Sequence, residues 1–268
     1  MLKNLIGYEF RATRRVFLPA YLVLVVLSVL NGISLGLSWN RDTLSLPTGL
    51  LIAVYVAVMM AVVGISLAYM IVRYYRNLLG DEGYLMFTLP VRPSQLLWSK
   101  AIVSTVWMMI TTILCCISVF LIMTPVMIAG DITLVQIWSD IQWTISNAIA
   151  HYGAGVCLVP FEVIIACIFG VLAFCMQVYA ALSLGQLANR YRMGWSFAAY
   201  IGFSVVEQII VSFATNILGN TIGEITYGFS TIVQIHCGIG LIALWTIVEI
   251  VVYFLISNYL LNNKLNLQ

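Results

Sequence analysis

Residues 43–72 read TLSLPTGLLIAVYVAVMMAVVGISLAYMIV, thirty residues without a charge between Asp42 and Arg73. A helix rises about 1.5 Å per residue, so about 20 apolar residues cross the hydrocarbon core of a bilayer. A membrane barrel strand would instead alternate apolar and polar residues over about ten positions. Inside lipid the backbone must satisfy its own hydrogen bonds, so this continuous run resolves to a helix. Pro47 suits the first turn of that helix, where its missing N–H costs little.

The same pattern recurs on both sides. Residues 16–40, between Arg15 and Arg41, form a charge-free run of 25, and residues 101–130 form another of 30. A more polar stretch with Asp131, Asp140, Asn147 and His151 follows, and then an apolar run over about 156–188 that contains Glu162. Residues 193–263 hold no basic residue and three glutamates, Glu207, Glu224 and Glu249. That stretch fits two spans joined by an outer segment. The fold class is therefore an all-α integral membrane protein, with residues 1–268 as a single transmembrane domain. Six spans fall at about 17–39, 46–72, 101–128, 157–188, 195–216 and 238–261. A loop covers 73–100, and outer segments cover 131–155 and 217–236.

Composition agrees. Of 268 residues 62% are hydrophobic and 8% charged, where soluble proteins carry about 25% charge. This excludes a soluble enzyme, a nucleic-acid-binding domain and a disordered chain. A net charge of +2 gives no reason to expect a nucleic-acid partner.

Basic residues favour the cytoplasmic side. Lys3, Arg11, Arg14 and Arg15 precede span one; Arg73, Arg76, Arg92 and Lys100 lie between spans two and three; Arg190 and Arg192 lie between spans four and five; Lys264 follows span six. Only Arg41 falls on the other side. Both termini are thus predicted to be cytoplasmic, in a multi-pass plasma-membrane protein. Residues 2–15 mix Leu2, Leu5, Ile6 and Phe10 with basic residues and read as an interfacial helix, or else as an ordinary positive flank. The first apolar run is too long for a signal peptide and reads as uncleaved.

The chain has no GxxxxGK[ST] phosphate loop, no HExxH metal site and no GxSxG nucleophile elbow. It is therefore read as non-catalytic, without a metal or nucleotide of its own. Leu182-Ser183-Leu184-Gly185-Gln186 imitates an ATPase signature, but it sits at the end of an apolar helix and reads as a small-residue packing stretch. His151 and His236 are too few for a convincing metal site. The six cysteines show no CxxC spacing; a Cys157–Cys237 disulfide is geometrically conceivable. In lipid, helices associate through small residues. Gly32-xxx-Gly36 and the stripe Gly49, Ala53, Ala57, Ala61 are such faces, for contacts within the bundle or between subunits, with contacts within the bundle the first expectation for both. Leu134, Trp138, Ile141 and Ile145 recur at helical spacing and predict an outer amphipathic helix in the interface, with Trp138 and Trp143 at headgroup level.

The loop Arg73–Lys100 is not a floppy linker. Gly80 can end the extension of span two. Asp81 and Glu82 suit a new helix start. Tyr84, Leu85, Met86, Phe87 and Leu89 follow, Pro90 stops the turn, and Ser94 can cap the helix leading into span three. An apolar patch on such a short helix marks a partner-binding site, or else a re-entrant or interfacial helix.

The stretch Asp81-Glu82-Gly83-Tyr84-Leu85-Met86-Phe87-Thr88-Leu89-Pro90, with Gln95-Leu96-Leu97 and Ser99-Lys100, resembles the "DEGYL-x-x-TLP…QLL-x-SK" loop of type-2 ABC exporter permeases of Firmicutes. Ser183–Ala188, Arg190, Arg192 and Gln208-Ile209-Ile210 are similar to the end of span four and the next span in that family. The resemblance implies two permeases, a second copy or a paralogue, with two separate ATPase subunits that carry ATP and Mg²⁺. It implies a coupling helix at Asp81, Glu82, Gly83, Tyr84, Leu85, Phe87 and Leu89, and a peptide substrate. It further implies that residues 217–236 dip into the membrane as short outer helices.

Glu207 lies 15 residues after Arg192, and Glu249 lies 15 before Lys264. Both then sit roughly 22 Å from the cytoplasmic charges, near mid-depth. A charged carboxylate there costs about 2.5–3.5 kcal/mol, so it must face protein or water. Either the two line an export path, or they are protonated or bonded to neighbours such as Gln208, Tyr253 or the outer segment. Glu162 is expected at the outer interface. Three functions compete: the permease of an ATP-driven exporter, a proton-coupled secondary transporter using Glu207 and Glu249, and an intramembrane enzyme, which the missing motifs disfavour.

Overall fold

A computed structural model describes residues 2–38, 46–80, 92–188, 190–226 and 228–263. These form α1 (Leu2–Ser38), α2 (Leu46–Tyr74) with a π turn at Tyr75–Leu79, α3 (Pro93–Ala129), α4 (Leu134–Tyr152), a 3₁₀ turn at Ala154–Leu158, α5 (Val159–Gly185), α6 (Arg192–Thr226) and α7 (Thr231–Asn263). Among the described residues six helices are long and apolar enough to cross a membrane: Lys3–Ser38, Leu46–Leu79, Pro93–Ala129, Ala154–Gly185, Arg192–Ile217 and Thr231–Asn262. The span count expected from hydropathy is the one observed.

The chain divides into two compact units. In the unit of residues 3–70 and 106–146, Trp107 is the keystone. Its ring stacks on Phe10 at 4.7 Å and on Phe17 at 4.5 Å between centroids. Its Nε1–H donates to the Thr13 hydroxyl at 2.6 Å. Tyr69 meets Phe17 edge-on at 5.5 Å. Hydroxyl pairs continue the joint: Tyr21 with Thr111 at 2.7 Å, Thr111 with Ser66 at 3.0 Å, and Tyr55 with Ser118 at 2.8 Å. Such pairs satisfy polar groups that lipid cannot.

Pro125 lies inside α3 and cannot donate to the carbonyl of Leu121. The Thr124 hydroxyl supplies that bond instead, at 3.0 Å. Gly32 sits against the same carbonyl, where an added Cβ would come within 2.8 Å of the Leu121 oxygen, and Gly36 packs on Pro125. The Gly32-xxx-Gly36 face is thus an internal contact. The second stripe corrects the expectation. Gly49, Ala53, Ala57 and Ala61 are exposed, and a Cβ on Gly49 would meet nothing within 4 Å among the described residues. Helical spacing identifies a face but not what covers it.

In the unit of residues 1–2, 71–105 and 147–268, Tyr74 and Tyr179 stack at 4.0 Å. Tyr74 bonds Ser183 at 2.8 Å, and Tyr179 bonds Ser104 at 2.7 Å. Gly185 lies against the start of α6, where a Cβ would stand 2.6 Å from the Ser196 nitrogen.

Four boundaries differ from the sequence reading. Residues 2–15 are not a separate interfacial helix but the first turns of α1, which runs on unbroken through Pro19; the Thr13–Trp107 bond and the Phe10–Trp107 stack hold those turns against α3. Span three starts at Pro93 rather than 101, and the Arg92 carbonyl, not Ser94, opens it by accepting from Gln95 N at 2.9 Å. Span five continues as α6 to Thr226, and α7 begins at Thr231. Among the described residues of 217–236 there are therefore no separate short outer helices: neither Gly219 nor Gly223 interrupts α6, and the described turn is confined to Gly228–Ser230. All six cysteines, Cys157 and Cys237 included, are free.

Gly80 does end the extension of α2, its N–H closing a π-type bond to Tyr75 O at 2.8 Å. At the end of α3, Ile132 N bonds Met127 O at 2.9 Å and Asp131 N bonds Ile128 O at 3.2 Å, with Asp131 at φ 58°. This is a Schellman stop with a short polar residue in the left-handed position.

Candidate functional site

Glu207 of α6 accepts two hydrogen bonds at one oxygen, Oε2: from Gln177 Nε2 of α5 at 3.1 Å and from Tyr253 OH of α7 at 3.4 Å. Gln177 also donates to the Ser204 hydroxyl at 3.2 Å. Phe203 packs on the Tyr253 ring at 5.4 Å. Glu249, one turn before Tyr253 on α7, stands within interaction range of Glu207. Its Oε1 is buried with no hydrogen-bond partner among the described residues.

The two sequence-singled glutamates therefore belong to one polar cluster in the apolar part of three spanning helices. Helical period explains the α7 side, because residues 249 and 253 are four apart and share a face. Gln177 and Tyr253 are both buried, so the cluster is anchored on the protein side and not in lipid. Chemically it offers carboxylate acceptors, one amide donor and one phenol. Of the neighbours weighed for the glutamates, Tyr253 is a partner, whereas Gln208 is exposed. Gln177 is not among the residues that the sequence analysis singles out, although a lone amide deep in the apolar run 163–182 is a legible signal.

A second polar pair lies near the starts of α5 and α7. His236 Nδ1 and Glu162 Oε2 are 2.8 Å apart. Gly155 in the 3₁₀ turn faces the other ring nitrogen, and a Cβ there would be 3.3 Å from Nε2. Glu162 occupies the first turn of α5, close behind a proline, where a negative charge complements the helix dipole. No sequence spacing foretells this pairing, since 74 residues separate the partners. Among the described residues no group of three or more His, Cys, Asp or Glu side chains is arranged to hold a metal ion.

The coupling-helix residues Asp81, Glu82, Gly83, Tyr84, Leu85, Phe87 and Leu89 lie outside the described residues. The flanking elements are the π turn ending at Leu79 and α3 from Pro93.

Comparison with protein-family profiles, characterised proteins and solved structures returns no match to this chain.

Proposed function

We propose that this chain is the transmembrane permease subunit of an ATP-driven ABC exporter of a bacterial plasma membrane, with both termini cytoplasmic. The observation that carries the reading is the loop Asp81–Lys100, whose sequence resembles the coupling loop of type-2 ABC permeases. Six membrane-length helices supply the scaffold such a subunit needs. In this reading two ATPase subunits, which bind ATP and Mg²⁺, grip the Tyr84, Phe87 and Leu89 surfaces of a pair of permeases. Their closure pushes on the loop between α2 and α3 and switches the permease between inward- and outward-facing states. The cargo is an amphipathic or hydrophobic peptide, a toxin or an antimicrobial. The Glu207–Glu249 cluster attracts its cationic groups.

The test is affinity purification of the chain from its native membrane. A nucleotide-hydrolysing subunit should accompany it and be lost on Tyr84→Glu, Phe87→Glu or Leu89→Glu. Failure to recover any such subunit would overturn the proposal. Export and ATPase stimulation unchanged in the Glu207→Gln/Glu249→Gln double variant would remove the glutamates from the path.

The closeness of Glu207 and Glu249 favours one second reading, a proton-coupled secondary transporter. Paired intramembrane carboxylates are the usual parts of a proton relay. Purified chain alone in vesicles would then transport in response to a pH gradient without ATP.

A further inference from the structure

The C-terminal half of α5 is enclosed on every side. All residues from Cys175 to Ser183 are buried, a stretch of about two and a half turns that takes in every face of the helix. The N-terminal half is the opposite, with Phe161, Ile164 and Ile168 exposed. A helix enclosed in this way passes on a displacement, because close-packed interiors compress little.

Two side chains of this stretch, Gln177 and Tyr179, point about 200° apart around the helix and meet different neighbours. Tyr179 lies flat on Tyr74, with 4.0 Å between centroids and 8° between ring planes. Its hydroxyl meets Ser104 Oγ at 2.7 Å, and Tyr74 OH meets Ser183 Oγ at 2.8 Å. Tyr74 is the last residue of α2, and Ser104 lies near the start of α3. The stack therefore ties α5 to both helices that flank the loop at residues 81–91. On the other side, Gln177 Nε2 donates to Glu207 Oε2 at 3.1 Å and to Ser204 Oγ at 3.2 Å, both on α6. Bonds this long stand at the far end of the N–H···O range, so a slide of α5 by about 0.5 Å breaks them. All of these residues belong to one compact unit.

We propose that Tyr179 is a positioning residue for the polar cluster. Its stack on Tyr74 fixes the height and rotation of α5, and with them the reach of Gln177 to Glu207. A movement of the α2–α3 loop that pulls on Tyr74 slides α5 and frees the Glu207 carboxylate. The coupling runs through an unbroken series of contacts and a helix that moves as a body. Its consequence for transport rests on the reading of this chain as a permease with Glu207 on the cargo path, where the freed carboxylate meets the cationic groups of the cargo. The control of Gln177 by Tyr179 does not need that reading.

The test treats the full chain in phospholipid vesicles with dicyclohexylcarbodiimide, which modifies carboxyl groups from the lipid phase. The label at Glu207 is measured against that at Glu162 by peptide mass spectrometry. Glu162, at the far end of α5 and held by His236, reports general loosening of the helix. Gln177→Leu removes the bond directly, and Tyr179→Leu removes the stack. Each should raise the Glu207 to Glu162 ratio about threefold, the factor that one average hydrogen bond between membrane helices represents. Tyr179→Phe keeps the ring and should leave the ratio unchanged. Tyr74→Leu takes the same stack away from the α2 side and should match Tyr179→Leu, so the outcome does not hang on one variant folding. A wild-type ratio in Tyr179→Leu or Tyr74→Leu overturns the proposal, and so does an equal rise in Tyr179→Phe. Because the chain is labelled alone, this result is separate from the recovery of an ATPase, which tests the permease reading.

Discussion

Trp107→Ala should be the most damaging single truncation in its unit. The indole stacks on Phe10 and Phe17 and donates to Thr13. Each aromatic pair is worth about 0.5–1.5 kcal/mol beyond area burial. A side-chain hydrogen bond between membrane helices averages about 0.6 kcal/mol. Water-to-oil transfer adds little here, because lipid already solvates apolar groups in the dissociated state. The expected loss is therefore about 2–4 kcal/mol, and it arises from packing. Trp107→Phe keeps a ring between Phe10 and Phe17 but loses the N–H donor, so it should cost about 1 kcal/mol. Reversible unfolding in mixed micelles, titrated with a denaturing detergent, measures both. A Trp107→Ala cost below about 1 kcal/mol, or equal costs for Ala and Phe, would refute the assignment of stability to the stack. A cycle with Thr13→Val separates the hydrogen bond from the rings.

Gly32→Ala should destabilise by about 1–3 kcal/mol through overpacking, since its Cβ would meet the Leu121 carbonyl at 2.8 Å, whereas Gly49→Ala meets nothing within 4 Å among the described residues and should be neutral or mildly stabilising; the same detergent titration distinguishes them. Gly185→Ala places a Cβ 2.6 Å from Ser196 N and 2.8 Å from Arg192 O, both backbone atoms, so the variant should accumulate poorly in membranes, as read by quantitative blotting. Thr133→Ala removes the hydroxyl that caps α4 by accepting from Gln136 N and should weaken that helix by about 1 kcal/mol, visible as faster amide exchange over its first two turns with the other helices unchanged.

The polar cluster shows where reading along the chain stops. Glu207 and Glu249 stand out because carboxylates inside apolar runs are costly. Yet one of the two groups that hold Glu207 is Gln177, on another helix 30 residues away. The small-residue stripes make the same point in both directions. Gly32-xxx-Gly36 and Gly49-xxx-Ala53 are alike as patterns, but one lies on a proline-freed carbonyl while the other is exposed among the described residues.

By itself the sequence determined the environment and the spans. Hydropathy sums locally over about 20 residues, and no later packing can reverse that sum. It determined that α2 begins around Pro47, a backbone preference of a single residue, and it marked Gly80 as the end of the extension, although Gly80 there is in an extended conformation (φ −99°) open to any residue. It could not say which apolar face meets protein and which meets lipid, since leucine is equally at home against either. Only the tertiary structure turned Gly32 onto Leu121, brought Gln177 to Glu207 and paired His236 with Glu162. Those choices depend on how each helix is rotated against its neighbour, and they rest on close packing and a few hydrogen bonds rather than on hydrophobicity.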